Sequence, residues 1–185
     1  MLSQIKSYTT SLLTPITAVL AKAGLKPNHL TFLGLFFGFA AALLICQGMA
    51  VFGAMAVLLS GLMDMLDGAL ARNAGKTTPF GGFLDSVFDR YVDVAIFIAL
   101  GVYGADWLIV SIALSGALLV SYTRARAEHI IPKCDVGIAE RGERLLIIVA
   151  GLLTNHIWHA VAIVAVLSHI TAIHRVIHTY SVSKS

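Results

Sequence analysis

The chain of 185 residues is 58% apolar and only 12% charged, against about 25% charged residues in an ordinary soluble domain. A water-soluble globule of that make-up would expose large apolar patches, which monomers avoid, and a disordered chain is equally excluded. Cys46 and Cys134 form no disulfide framework and read as small buried or interfacial side chains, so the composition implies one integral membrane domain over residues 1–185.

Residues 1–26 open the chain with apolar side chains at Leu2, Ile5, Tyr8, Leu12, Ile16, Val19 and Leu20, close to helical spacing. Ser3, Lys6, Thr10, Thr14 and Lys22 share the other side, and Pro15 would kink the helix or start a second one. This predicts an amphipathic helix lying in the membrane interface, the alternative being a partly ordered tail. No A-x-A-like site follows the first span, so it is not expected to be a cleaved signal.

The six-helix core is expected over residues 27–178, because the charges leave three long gaps. Residues 27–63 contain no Lys, Arg, Asp or Glu, Asp106 is the one charge between Asp93 and Arg124, and none lies between Arg144 and Arg175. A helix crosses the hydrocarbon in about 20 residues, so each gap suits two crossings and a turn. The polar breaks at Gln47-Gly48, Gly104-Ala105-Asp106 and Thr154-Asn155-His156 predict spans near 29–47, 50–70, 84–103, 107–126, 138–154 and 156–176. The third gap is short, so its first helix must begin among the charged residues 139–144. All 13 Lys and Arg residues fall on one side of this arrangement. The positive-inside rule then places both termini in the cytoplasm of a multi-pass cell-membrane protein, with Trp107 and Trp158 near the far interface.

Five of the ten acids crowd into residues 64–93. Asp64 and Asp67, three apart, share one helix face, as do Asp85 and Asp89, four apart. The short connection between them predicts antiparallel neighbouring helices with their acidic ends together. Carboxylates so gathered at low dielectric require cations. Oxygen ligands select hard divalent ions, Mg²⁺ or Mn²⁺, and four carboxylates suit two of them. The plainer alternative is ion pairing with Arg72, Arg90 and Lys76, and Asp93 is expected to pair with an arginine. Gly68 and Ala71 thin the helix face for a phosphate ligand, Arg72 places a forked cation at the lip, and Gly75, Pro79, Gly81 and Gly82 form an unobstructed loop.

Written out, Asp64-x2-Asp67-Gly68-x2-Ala71-Arg72-x8-Gly81-x3-Asp85-x3-Asp89 resembles the signature of the CDP-alcohol phosphotransferases at all its fixed positions. Pro27-Asn28-His29-Leu30-Thr31 resembles the family's lead into the first span. The resemblance implies a transferase that moves a phosphoalcohol unit from a CDP-linked lipid to a hydroxyl and releases CMP, with membrane lipids as surroundings and a homodimer as assembly. It also implies two Mg²⁺ ions on Asp64, Asp67, Asp85 and Asp89, with Asp89 as general base in a direct displacement at a cytoplasmic site. Asn28, Thr31, Gly68, Arg72, Thr78 and Gly81 would bind the CDP part.

Further on, Ser121–Glu128 and Gly137–Arg144 resemble the phosphatidylinositol phosphate synthase branch and its archaeal archaetidylinositol phosphate counterparts. That branch implies inositol 1-phosphate, a soluble phosphorylated polyol, as acceptor, its phosphate met by Arg124, Arg141, Arg144 and Arg175. Glu128, Glu140 and Glu143 would orient those arginines or pair with them. Glycerol 3-phosphate is the alternative acceptor, and the lipid is either a diacylglycerol or an archaeal ether. Two other classes stay open: a cation carrier with an acidic filter, and an intramembrane prenyl transferase with paired aspartate motifs. No nucleic-acid partner is expected.

Overall fold

The structure, a computed structural model, describes residues 13–75 and 77–184. Among them every regular element is a helix: α1, described over Leu13–Lys22, then α2 (Pro27–Cys46), α3 (Ala50–Asn73), α4 (Pro79–Tyr103), α5 (Trp107–Ala127), α6 (Arg141–Thr154) and α7 (Ile157–Val182). The helices follow the predicted spans closely, and α6 starts inside the charged stretch as its length demanded.

The chain reverses at the three predicted breaks for a backbone reason. Gly48 and Gly104 take φ of 80° and 124°, and Asn155 takes 57°, the left-handed region that glycine and asparagine reach at least cost. Asp106 then caps α5, its carboxylate accepting from Ile109 N at 3.0 Å. Pro27 and Pro79 stand in the first turns of α2 and α4, where a missing N–H costs nothing.

Helix α2 packs on α3 and α4, α3 on α6, α6 on α7, α7 on α5, and α5 on α4, which closes a ring in the order α2-α3-α6-α7-α5-α4. Here the expectation of α3 and α4 as packed neighbours needs correction. Among the described residues they meet only at their acidic ends, and α2 lies against both. The slender face of α2 lets both helices pack against it and not along each other. A Cβ on Gly38 would lie 2.4 Å from Val92 Cγ2, and Ser60 Oγ of α3 donates to Gly34 O at 2.8 Å.

Small residues fill the interior: Ala41, Ala54, Ala99 and Ala113 are fully buried beside Ile96, Phe97 and Leu100. Phe32, Phe36, Phe39, Phe52, Met55 and Leu58 point outward and are exposed. That distribution suits lipid, where helices associate through close van der Waals contact and not by hiding apolar side chains from water. Four helices, α2, α3, α5 and α7, are long and apolar enough to cross a membrane. Helix α4 is 25 residues long but carries Asp85, Asp89, Arg90 and Asp93 within its first 15 residues, and α6 has 14 residues.

Helix α1 lies across α2 and α3, with Leu13 and Leu20 against Leu30, Leu66 and Leu70. Thr17 is buried and its Oγ1 accepts from Asn73 Nδ2 at 2.9 Å, while Ile16 and Val19 stay exposed. The expected apolar positions Leu2, Ile5, Tyr8 and Leu12 lie outside the described residues.

Candidate active site

The acids converge because a tight connection follows α3 and Thr78 restarts the chain as α4, its Oγ1 accepting from Gly81 N at 3.0 Å. Three-residue spacing on α3 and four-residue spacing on α4 then aim both acid pairs into one volume. The result is a narrow cleft lined by Thr31, Gly34, Ser60, Asp64, Asp67, Asp85, Phe88, Asp89 and Arg141, among others.

Asp64, Asp67 and Asp85 each present an oxygen within 4.8 Å of the other two. Asp67 is 5% exposed, and its Oδ2 is buried without a hydrogen-bond partner. A buried carboxylate oxygen left unpaired costs free energy that a ligand would recover, and a hard divalent cation suits an all-carboxylate donor set. The residues present therefore fit a divalent metal.

Asp89, the fourth of the expected ligands, is engaged differently. Arg141 Nη1 stands 2.8 Å from Asp89 Oδ1 and 3.1 Å from Asp64 Oδ2, and its Nε stands 3.3 Å from Asp93 Oδ1. Arg90 Nη1 is 3.5 Å from Asp89 Oδ2. Asp93, 3% exposed, also takes Arg144 Nη2 at 3.0 Å, so its expected arginine partner is in fact two arginines. Of the basic residues named beforehand as counter-ions, Arg90 touches the cluster, Arg72 turns back over its own helix, and Lys76 lies outside the described residues. The dominant partner, Arg141, comes from α6 and is invisible to local spacing.

The candidate donor residues stand around the rim. A Cβ on Gly81 would meet Thr78 Oγ1 at 2.9 Å and Asn28 Oδ1 at 3.8 Å, which sets the starts of α2 and α4 side by side. Arg72 folds back over its own helix, its Nη1 3.1 Å from where a Gly68 Cβ would be. Thr31 lines the cleft, its hydroxyl donating to Pro27 O at 3.2 Å.

The four arginines expected at the acceptor fall into two pairs. Arg124, at the end of α5, reaches Glu128 and Asp135, each at 3.0 Å, and Glu140 at 3.6 Å, with its side chain 34% exposed. Arg175 is 2% exposed, donates to Val136 O at 2.8 Å and shares Glu140 at 3.5 Å. Arg144 is equally buried and donates to Ala139 O at 3.1 Å as well as to Asp93. Arg144 and Arg175 thus brace residues 136–140, Arg124 and Arg175 share Glu140, and Arg141 and Arg144 share Asp93. Thr171, which sequence reasoning passed over, helps: its Oγ1 accepts from Ile138 N and Ala139 N at 3.2 and 3.1 Å. A hydroxyl in an apolar helix gives no local signal of such a role.

Comparison with known proteins agrees with this geometry. The family model for CDP-alcohol phosphatidyltransferase matches residues 25–177. The archaetidylinositol phosphate synthase of Methanothermobacter thermautotrophicus is 38% identical across 97% of this chain and 94% of its own. Two crystal structures of Mycobacterium tuberculosis phosphatidylinositol phosphate synthase superpose with a TM-score of 0.80 at 34% identity. One has CDP-DAG bound and covers 92% of this chain and 94% of that one. The other, in complex with manganese and citrate, covers 91% and 88%.

Proposed function

The chain belongs to the CDP-alcohol phosphatidyltransferase family, and on that premise we propose that it transfers a phosphatidyl- or archaetidyl-type unit from a CDP-linked lipid to a hydroxyl of inositol 1-phosphate, releasing CMP. The observation that carries the reading is the unpartnered Asp67 Oδ2, facing Asp64 and Asp85 inside a rim of donor-binding candidates. The relatives named as inositol phosphate synthases support the acceptor.

A divalent cation on Asp64, Asp67 and Asp85, with Asp89 completing a second position, supplies when bound the positive charge that neutralises the donor diphosphate and stabilises CMP as it leaves. Mg²⁺ is the expected ion and Mn²⁺ an alternative, in keeping with the manganese complex of the mycobacterial relative. Arg72 and the start of α4 at Thr78 and Gly81 hold the nucleotide end, with Asn28 and Thr31 closing its other side. Gly68 and Gly81 leave room for Arg72 and Thr78 to lie close over the backbone, where both can reach the nucleotide. Asp89 accepts the proton of the attacking hydroxyl as the new oxygen–phosphorus bond forms, and the bond to CMP breaks with its electron pair leaving on CMP. Arg124 and Arg141 meet the acceptor's phosphate, while Arg144 and Arg175 set the loop that joins their helices.

All six core helices are read as spans around a cytoplasmic site, with α4 and α6 sheltering their charges in the ring and α1 resting in the interface. The whole chain acts as one domain. CMP release measured with inositol 1-phosphate, glycerol 3-phosphate and free inositol, each with diacyl and ether CDP-lipids, tests the proposal. Turnover with inositol 1-phosphate alone is the expected result, and CMP release with every acceptor but that one overturns the assignment.

A further inference from the structure

The carboxylates at the floor of the cleft divide into two sets. Asp64, Asp67 and Asp85 turn their oxygens toward one another, whereas the Asp64–Asp89 edge is spanned by Arg141 Nη1 at 3.1 and 2.8 Å. We propose that Arg141 is an internal counter-cation occupying the edge that a second divalent ion would use, and that it yields this edge when a phosphate ester offers its guanidinium another anion. The inference rests on the transferase reading and deepens it, because acceptor binding and loading of the second cation become one coupled event.

Charge makes the exchange necessary. Asp64, Asp67, Asp85 and Asp89 carry four negative charges when ionised. One divalent cation together with Arg141 and Arg90, which stands 3.5 Å from Asp89, leaves the cluster neutral, while two divalent cations with both arginines in place leave it doubly positive. Cations crowded at this spacing repel strongly in a site with little water. Asp93 cannot absorb the excess, because Arg144 already holds it at 3.0 Å and both side chains are 3% exposed. A phosphate dianion restores the balance.

Geometry makes the exchange possible. Arg141 Nε is held by Asp93 only at 3.3 Å, and the planar guanidinium leaves Asp64 and Asp89 by turning as a unit about Cδ–Nε, loosening that long contact as it goes. Arg141 lines the cleft, where an incoming anion would meet it. By linkage, whatever factor the phosphate adds to the affinity for the second cation, the cation returns to the phosphate.

The test counts Mn²⁺ bound to the full chain in detergent without CDP-lipid, from the electron paramagnetic resonance signal of the free hydrated ion. The wild-type protein is expected to bind one ion tightly and a second more weakly, by roughly tenfold or more, and inositol 1-phosphate tightens the second by a similar factor. Inositol without phosphate leaves both unchanged. In Arg141→Gln the two affinities approach each other and the phosphate response is lost. A second wild-type site indifferent to the phosphate overturns the proposal, as does an Arg141→Gln protein that keeps both the gap and the response. The wild-type titration needs no variant, so misfolding of Arg141→Gln leaves the test intact. CMP formation alongside a phosphate-insensitive isotherm removes the exchange and keeps the reaction, and phosphate-coupled Mn²⁺ binding without CMP from any acceptor does the reverse.

Discussion

Asp89 and its neighbours show how one residue type can serve different ends within a few ångströms. Asp67 has an oxygen with no protein partner, Asp93 is saturated by two arginines, and Asp89 lies between, held closely by Arg141, loosely by Arg90, and lining the cleft. Replacing Asp89 by Asn removes the proton acceptor while keeping the shape. CMP release is expected to fall by about 10²-fold or more with CDP-lipid binding retained, as measured by turnover and donor titration on the same preparation. Arg124→Ala removes a charged hydrogen-bond donor that is still partly open to solvent. The KM for inositol 1-phosphate is expected to rise about tenfold or more, with the donor KM and kcat little changed, the mark of lost uniform binding. The aspartate spacing was readable from the sequence alone, because helical periodicity determines which side chains share a face. The fate of the arginines was not, because Arg175 and Arg144 spend donors on the carbonyls of Val136 and Ala139, and backbone acceptors in an irregular loop leave no pattern in side-chain identities.

At the level of helices, α2 is the member that lets the acidic ends of α3 and α4 approach without packing along their length. Its contact with α4 depends on the missing side chain at Gly38, where a Cβ would fall 2.4 Å from Val92 Cγ2. Gly38→Ala is expected to destabilise the protein by about 1–3 kcal/mol through overpacking, and Val92→Ala in the same chain should recover part of the loss, both followed by thermal unfolding in detergent. Helix limits were legible because each turn carries a residue suited to left-handed backbone or a proline at a first turn. Which helices touch was not, since ring closure is decided by surfaces brought together from distant parts of the chain. The short link from α3 to α4 brings their acidic ends together as its length implies, while α2, which no local signal points to, takes the contact along the rest of both helices.

Taken as a whole, the molecule separates its chemistry from its apolar body. The six-span proposal predicts opposite accessibility for the two ends of the ring. In a chain with Cys46 and Cys134 changed to Ser, single cysteines at Gln47 or His156 are expected to react with an impermeant maleimide from the outer face, and those at Ala74 or Lys184 only from the inner one. Cation binding should also stabilise the whole fold, because the unfolded chain presents no such cluster. Mn²⁺ at a hundredfold excess over its Kd should add about 2.7 kcal/mol, seen as a rise in Tm over a chelator-treated control and lost in Asp67→Asn.

The brevity of α6 has a consequence for the lipid sheet itself. Its 14 residues rise only about 21 Å, roughly 9 Å less than the hydrocarbon is thick. On the six-span proposal, a bilayer meeting so short a wall would dimple to match it, drawing head groups and the water above them inward along one flank. A polar sugar ester arriving from the aqueous phase and an oily molecule gliding within the leaflet would thereby be brought toward the same depth.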